Sequence, residues 1–271
     1  MKKVIKIILL ALMSLMLLSA CSTNSNKVDE KEKGEKNKII LGVRADGLDM
    51  AEAIRKDVEE AGYELEVITF EDSIQPNVAL GEGSIDVNWF QHKPYLDSYN
   101  ASNGTDFVMA EPYTHYPIFG MYSEKYDSVE EIPNGAKIGL CNDRANQTRG
   151  LLMLQDLGLI TLDESVDEPT IYDIVENPHD FEFIEAEMSV LPRSLPDLDA
   201  IVLAGAHMNN AGFDASTYIA ESKDGPSYPL GFVTRKEDAE AQWLKDLVEC
   251  ATNSDSLRNY FKEEGSLIPL F

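Results

Sequence analysis

Short apolar runs alternate along this chain with stretches whose apolar residues recur every three to four positions. Ile39–Val43 reads as a strand, Met50–Ala61 as a helix stopped by Gly62, and Leu65–Phe70 as a second strand. Pro76–Leu80 opens another helix, and Ile85–Phe90 follows as a strand. This rhythm is that of βαβ units and a largely parallel sheet. The pattern then restarts. Ala136–Cys141 is a strand, Asn146–Leu157 a helix with Gly158 behind it, and Phe181–Glu187 and Asp199–Gly205 are further strands. Near the end, Trp243, Leu244, Leu247 and Val248 fall on one helical face, and Leu257, Tyr260 and Phe261 on another, as core-facing residues do.

The restart predicts an α/β fold of two lobes. Tyr116–Ser123 and Ser227–Thr234 are extended and contain Pro and Gly, which makes them the candidate crossings. The lobes are then residues 39–117 plus 227–271, and residues 118–226. Two lobes joined by two strands form a cleft that closes on ligands by hinge motion.

The opening residues belong to neither lobe. Lys2, Lys3 and Lys6 precede an almost wholly apolar run, Ile7–Leu18, and small residues follow. That is the layout of a secretory signal peptide over residues 1–20. The run is short of the roughly 20 apolar residues that a permanent span requires. Leu18-Ser19-Ala20-Cys21 resembles the lipobox of bacterial lipoproteins, in which Cys21 is acylated and becomes the new N-terminus. Acyl chains contribute about 0.8 kcal/mol per buried methylene, so several of them anchor stably. Residues 21–38 hold Val28 as their only large apolar side chain and read as a disordered tether.

Charge narrows the choice of partner. Three of the 23 basic residues lie in the leader, leaving 20 against 48 acidic residues, a net of −28. Such a surface repels phosphate backbones, so no nucleic-acid partner is expected. Cys141 and Cys250 read as unpaired thiols, and there is no CxxC spacing. No nucleophile elbow, Walker loop or HExxH motif is present, so the chain does not read as an enzyme. Neither a cofactor nor a bound metal is expected. The competing readings are a metal-capturing lipoprotein, with His92, His115 and His207 converging on zinc, and a structural or adhesin surface lipoprotein.

Two segments carry candidate chemistry. Asn88–Leu96 reads NWFQHKPYL. On a strand Trp89 and Phe90 point to opposite faces, so one enters the core and the other faces a cleft. Gln91 and His92 follow at the strand end, where open α/β sheets bind ligands. Asn142–Gly150 reads NDRANQTRG, between a strand and a helix. Asn142 or Asp143 suits a cap, and Asn146 and Arg149 share a helical face. A cation beside the free N–H groups of a helix start suits a bound carboxylate. By spacing alone, Arg149 is equally a solvated surface arginine.

The lipobox, GEGSIDVNWFQHKPYL (Gly81–Leu96), NDRANQTRGLLMLQDLGLI (Asn142–Ile160) and DIVENP (Asp173–Pro178) resemble the NlpA-type, methionine-binding lipoproteins of ABC importers. The resemblance implies a type II periplasmic-binding-protein fold that captures an amino acid between its lobes. Delivery would be to a membrane permease driven by a cytoplasmic ATPase. It also implies that Arg149 clamps the ligand carboxylate with Asn146 beside it. Phe90, His92, Tyr113, His115 and Tyr116 would line the thioether pocket. This chain departs from the family where an Asn-Asn pair is replaced by Ala204-Gly205, a proline by Cys141 and a tyrosine by Ser73. Asn209 or Asn210 could replace the lost amide only from a different position. These departures predict a ligand other than L-methionine at the family's usual strength: another amino acid, a D-isomer or a short methionine-containing peptide.

Overall fold

Why the apolar runs become strands is visible in a computed structural model, which describes residues 36–271. The lipobox cysteine, the leader and nearly all of the tether lie outside the described residues. Ile39, Leu41 and Val43 are completely buried, and their strand, Lys38–Arg44, is the second of five in one sheet. Glu64–Phe70 lies parallel on one side of it, with Leu41 opposite Val67. Val87–Asn88 lies parallel on the other side. Val233–Thr234 then pairs antiparallel with Val87–Asn88, and Val108–Met109 completes the edge.

The second sheet repeats this plan. Lys137–Cys141 sits parallel between Glu182–Ala186 and Ala200–Ala204. Phe119–Tyr122 runs antiparallel to Ala200–Ala204 and also pairs with Ala220–Glu221. All strands of the first sheet come from residues 38–109 and 233–234, and all of the second from residues 119–221. The chain passes between the sheets through residues 110–118 and 222–232. A small antiparallel pair, His115–Pro117 with Leu267–Pro269, fastens the C-terminal segment beside the first of these passages.

Two expected elements differ in form. The helix read over Met50–Ala61 is broken at Ile54 into Leu48–Ala53 and Arg55–Glu60. The strand read over Ile85–Phe90 keeps only Val87 and Asn88 in the ladder. There Asp86 intervenes, because its Oδ2 accepts the Ile40 amide at 2.8 Å. Ile85 and Trp89 are nevertheless fully buried, so the apolar pattern recorded burial rather than ladder pairing.

The strand end that follows is braced by amides. Asn77, Asn88 and Gln91 are buried and bond to one another at 2.7–3.0 Å. Buried amides demand such partners, at a cost of about 1–3 kcal/mol for each one left unmade. Gln91 is therefore committed to holding the backbone that presents Phe90 and His92. The helices Gln242–Asn253 and Asp255–Glu264 bury Trp243, Leu244, Leu247, Leu257 and Phe261, as their periodicity predicts.

Candidate functional site

Residues from both sheets' surroundings line one cavity of about 840 Å³, part of it open to solvent. On the first sheet's side stand Phe90, His92, Tyr95 and His115; on the second's stand Asp143, Asn146, Arg149 and Ala204.

Arg149 is placed by the helix Arg144–Asp156, which Asp143 caps by accepting the Asn146 amide at 3.0 Å. Gly150 lets this helix lie close on its sheet, since a Cβ there would stand 2.9 Å from Leu140 Cδ2. The guanidinium is only 1% exposed. It lies between two aromatic faces, 4.2 Å from the Phe119 ring centre and 3.9 Å from that of Tyr228. Nη2 donates to Asp224 Oδ1 at 2.9 Å, while Nη1 is buried without a partner. Burial opposes its charge, and Asp224 favours it. Tyr228 and Asp224 belong to the segment around the single turn Gly225–Ser227. A Cβ on Gly225 would meet the Tyr116 ring at 2.4 Å, so only glycine allows that segment to close over Arg149.

His92 caps the helix Lys93–Asn103, with Nδ1 accepting the Tyr95 amide at 3.0 Å. The neutral ring therefore carries its proton on Nε2, which donates to Asn146 Oδ1 at 3.0 Å. Asn146 Nδ2 in turn donates to Asp143 at 2.9 and 3.1 Å. This relay joins the two sides of the cavity. Burial, and then the Arg149 charge, push the His92 pKa down to about 4. His115 lies among Trp89 and Phe261 with Nδ1 2.9 Å from Thr114 Oγ1, and burial pushes it down to about 3. His207 stands 3.5 Å from Asp46 and is likewise lowered by burial.

Five of the eight ligand-binding residues expected from the sequence therefore meet here: Phe90, His92, His115, Asn146 and Arg149. The other three, Tyr113, Tyr116 and Asn209, lie outside this lining. The Tyr113 hydroxyl donates to Glu111 at 3.2 Å, outside the lining. Tyr116 packs its ring on Gly225. Asn209 spends its amide on Glu264, at 2.7 Å to both the backbone and the side-chain oxygen, and accepts the Ala215 amide at 3.0 Å. The cavity also contains residues that sequence reasoning passed over, chiefly Arg44, Asp46 and Tyr260, besides Ser73, known only as a departure. Arg44 ends the buried strand Lys38–Arg44, and a cation at the carboxyl end of a parallel strand was the available signal. The three histidines have separate partners, and among the described residues no group of His, Cys, Asp and Glu is arranged to hold a metal ion.

The family model for the NlpA lipoprotein matches residues 39–270. The chain belongs to the NlpA lipoprotein family. This NlpA lipoprotein is 36% identical over 224 residues to the D-methionine-binding lipoprotein MetQ of Escherichia coli strain K12, covering 81% of each chain. It is 37% identical over 231 residues to a probable MetQ of Vibrio cholerae, covering 83% of this chain and 80% of that one. Its fold matches a nutrient-binding protein from Burkholderia cenocepacia, whose structure was solved bound to methionine. That match has a TM-score of 0.81 and 33% identity, and covers 86% of this chain and all of the other. The two sheets of this NlpA lipoprotein are thus the cores of a two-lobed, periplasmic-binding-protein-like α/β fold.

The buried imidazoles make the stability of this NlpA lipoprotein dependent on pH. Unfolded histidine protonates near its ordinary value of 6.5, whereas folded His92 and His115 resist protonation down to about 4 and about 3. As pH falls through that window the unfolded chain binds protons that the folded chain does not, so stability is lost. Between about pH 7 and about pH 5 each of these two histidines should weaken folding roughly twentyfold. Urea unfolding across this range checks the slope, which His115→Gln should flatten.

Proposed function

We propose that this chain is the solute-capturing lipoprotein of an ABC importer, a binding protein and not an enzyme. It holds an amino acid or short peptide between its lobes and delivers it to a membrane permease and its ATPase. The observation that carries this reading is Arg149 Nη1: a charged donor, buried and unpartnered, on a residue that lines the cavity. An unpaired buried donor costs about 1–3 kcal/mol, and a ligand carboxylate removes that cost. His92 and Asn146 fix the opposite walls, and Phe90 and His115 give the ligand side chain its apolar surface. The lobes are taken as residues 39–117 plus 227–271, and residues 118–226. The division is supported by the strand membership of the two sheets, and the passages between them act as hinges.

A thermal-shift panel of amino acids and dipeptides tests the reading on residues 38–271. A ligand in excess raises the melting temperature by mass action, by about 2.7 kcal/mol of stabilisation at a hundred times its Kd. No shift with any α-carboxylate compound would refute capture. Cys21 supplies the membrane anchor in this account, on the extracytoplasmic face. Cys21→Ala should move the protein from the membrane to the soluble fraction, and continued membrane retention after leader removal would remove the anchor from the account.

A further inference from the structure

The cavity has a second charged end, built differently from the first. Arg44 is 8% exposed, and all three of its guanidinium nitrogens are engaged. Nε and Nη2 donate to the two oxygens of Asp46, both at 3.2 Å. Nη1 donates to Ser73 at 2.6 Å and lies 3.7 Å from Glu187 Oε1. Arg149, by contrast, keeps one buried nitrogen free. The site therefore has one seat for an anion, at Arg149. Arg44 holds Asp46 in place instead.

Charge around the cavity is unbalanced. Two guanidiniums, Arg44 and Arg149, stand against four carboxylates: Asp46 and Asp143 in the lining, Asp224 on Arg149, and Glu187 beside Arg44. The imidazoles do not correct this, because burial keeps them neutral near neutral pH. Burial, and the Glu187 charge after it, raise the Asp143 carboxyl. An ordinary amino-acid zwitterion adds one charge of each sign and leaves the excess unchanged. A second ammonium reduces it.

The geometry at this end has a place for that group. Asp46 faces the cavity with its side chain 23% exposed. Arg44 occupies about two of the four or so lone-pair positions of its carboxylate and His207 Nδ1 lies 3.5 Å from Oδ2, which leaves acceptors open. Met50, Met188 and Tyr260 line the same cavity and offer an apolar surface for an alkyl stem. Ser73 and Ala204 are small and leave it room.

We infer that the ligand is an α-amino acid with a cationic side chain, its carboxylate on Arg149 and its distal ammonium on Asp46. This rests on the amino-acid reading above and names the class of ligand for the same cleft. The whole chain, at −25, also draws cations toward it.

The test compares calorimetric affinities for lysine, norleucine, methionine and glutamate. Norleucine is lysine without its distal ammonium. Wild type should bind lysine about tenfold or more tighter than norleucine, the scale for a close charge pair. Asp46→Asn should abolish that ratio, and Arg44→Met, which leaves Asp46 uncompensated, should widen it. If wild type binds norleucine or methionine as tightly as lysine, or if Asp46→Asn leaves the ratio unchanged, the inference is overturned while the amino-acid reading stands. If none of the four binds but α-amino acids without a cationic side chain do, it is likewise overturned alone. If no α-amino acid binds at all, the amino-acid reading falls with it.

Discussion

Arg149→Ala should weaken binding of the captured amino acid by at least about 2 kcal/mol, or roughly thirtyfold. The substitution removes the only buried, unpartnered cationic donor among the described residues, on a residue that lines the cavity. Some of the loss reflects the free protein, because Asp224 is left without its 2.9 Å partner. Its side chain is 28% exposed, so water relieves much of that penalty and the variant should still fold. Arg149→Lys is the informative companion. It keeps the charge but not the planar fork that lies between Phe119 and Tyr228 while donating sideways to Asp224. Its affinity should fall between wild type and alanine. Isothermal calorimetry, with circular dichroism to verify folding, decides this, and an alanine variant of wild-type affinity would exclude Arg149 as the carboxylate clamp.

Trp89→Ala should produce the largest stability loss, about 3–5 kcal/mol, the range for removing a large buried aromatic. Trp89 is completely buried, with its ring 4.5 Å from that of Phe232. Its Nε1 donates to Thr114 Oγ1 at 3.0 Å, beside the segment that carries His115. The cavity left behind has rigid walls, since the strand Lys38–Arg44 and the helix Gln242–Asn253 meet in the same core. Equilibrium urea unfolding would show a lowered midpoint with an unchanged slope. Trp89→Phe, which keeps most of the volume, should lose far less. A loss below about 1 kcal/mol for alanine would mean that the site collapses freely, contrary to close packing of this core.

What could be read from the sequence follows from how burial writes itself into a chain. Strands buried on both faces become continuous apolar runs, which is why Ile39–Val43, Ala136–Cys141 and Asp199–Gly205 were legible. The amphipathic pair of C-terminal helices was legible for the same reason. The two-residue strands Val108–Met109 and Val233–Thr234 left no such mark, because two positions define no period. Nor does sequence spacing reveal that Asp224 closes on Arg149 from 75 residues away, or that Asn209 is drawn off by Glu264. Arg149 itself was visible as an oddity, a cation in the early turns of a helix, where the dipole favours acids. Its aromatic sandwich and its free nitrogen became apparent only in three dimensions. Arg44, at the end of a strand, and Asp46, in the turn after it, hid where charged residues are commonplace.

The central claim is that a buried guanidinium meets the carboxylate of a captured solute. The most direct measurement strips the protein of bound solute by unfolding and refolding. It is then titrated calorimetrically with the tightest amino acid found and with that acid's α-carboxamide. The account predicts that the acid binds at least roughly thirtyfold tighter, the equivalent of about 2 kcal/mol for a desolvated charge pair. Equal affinity for the acid and the amide would contradict it.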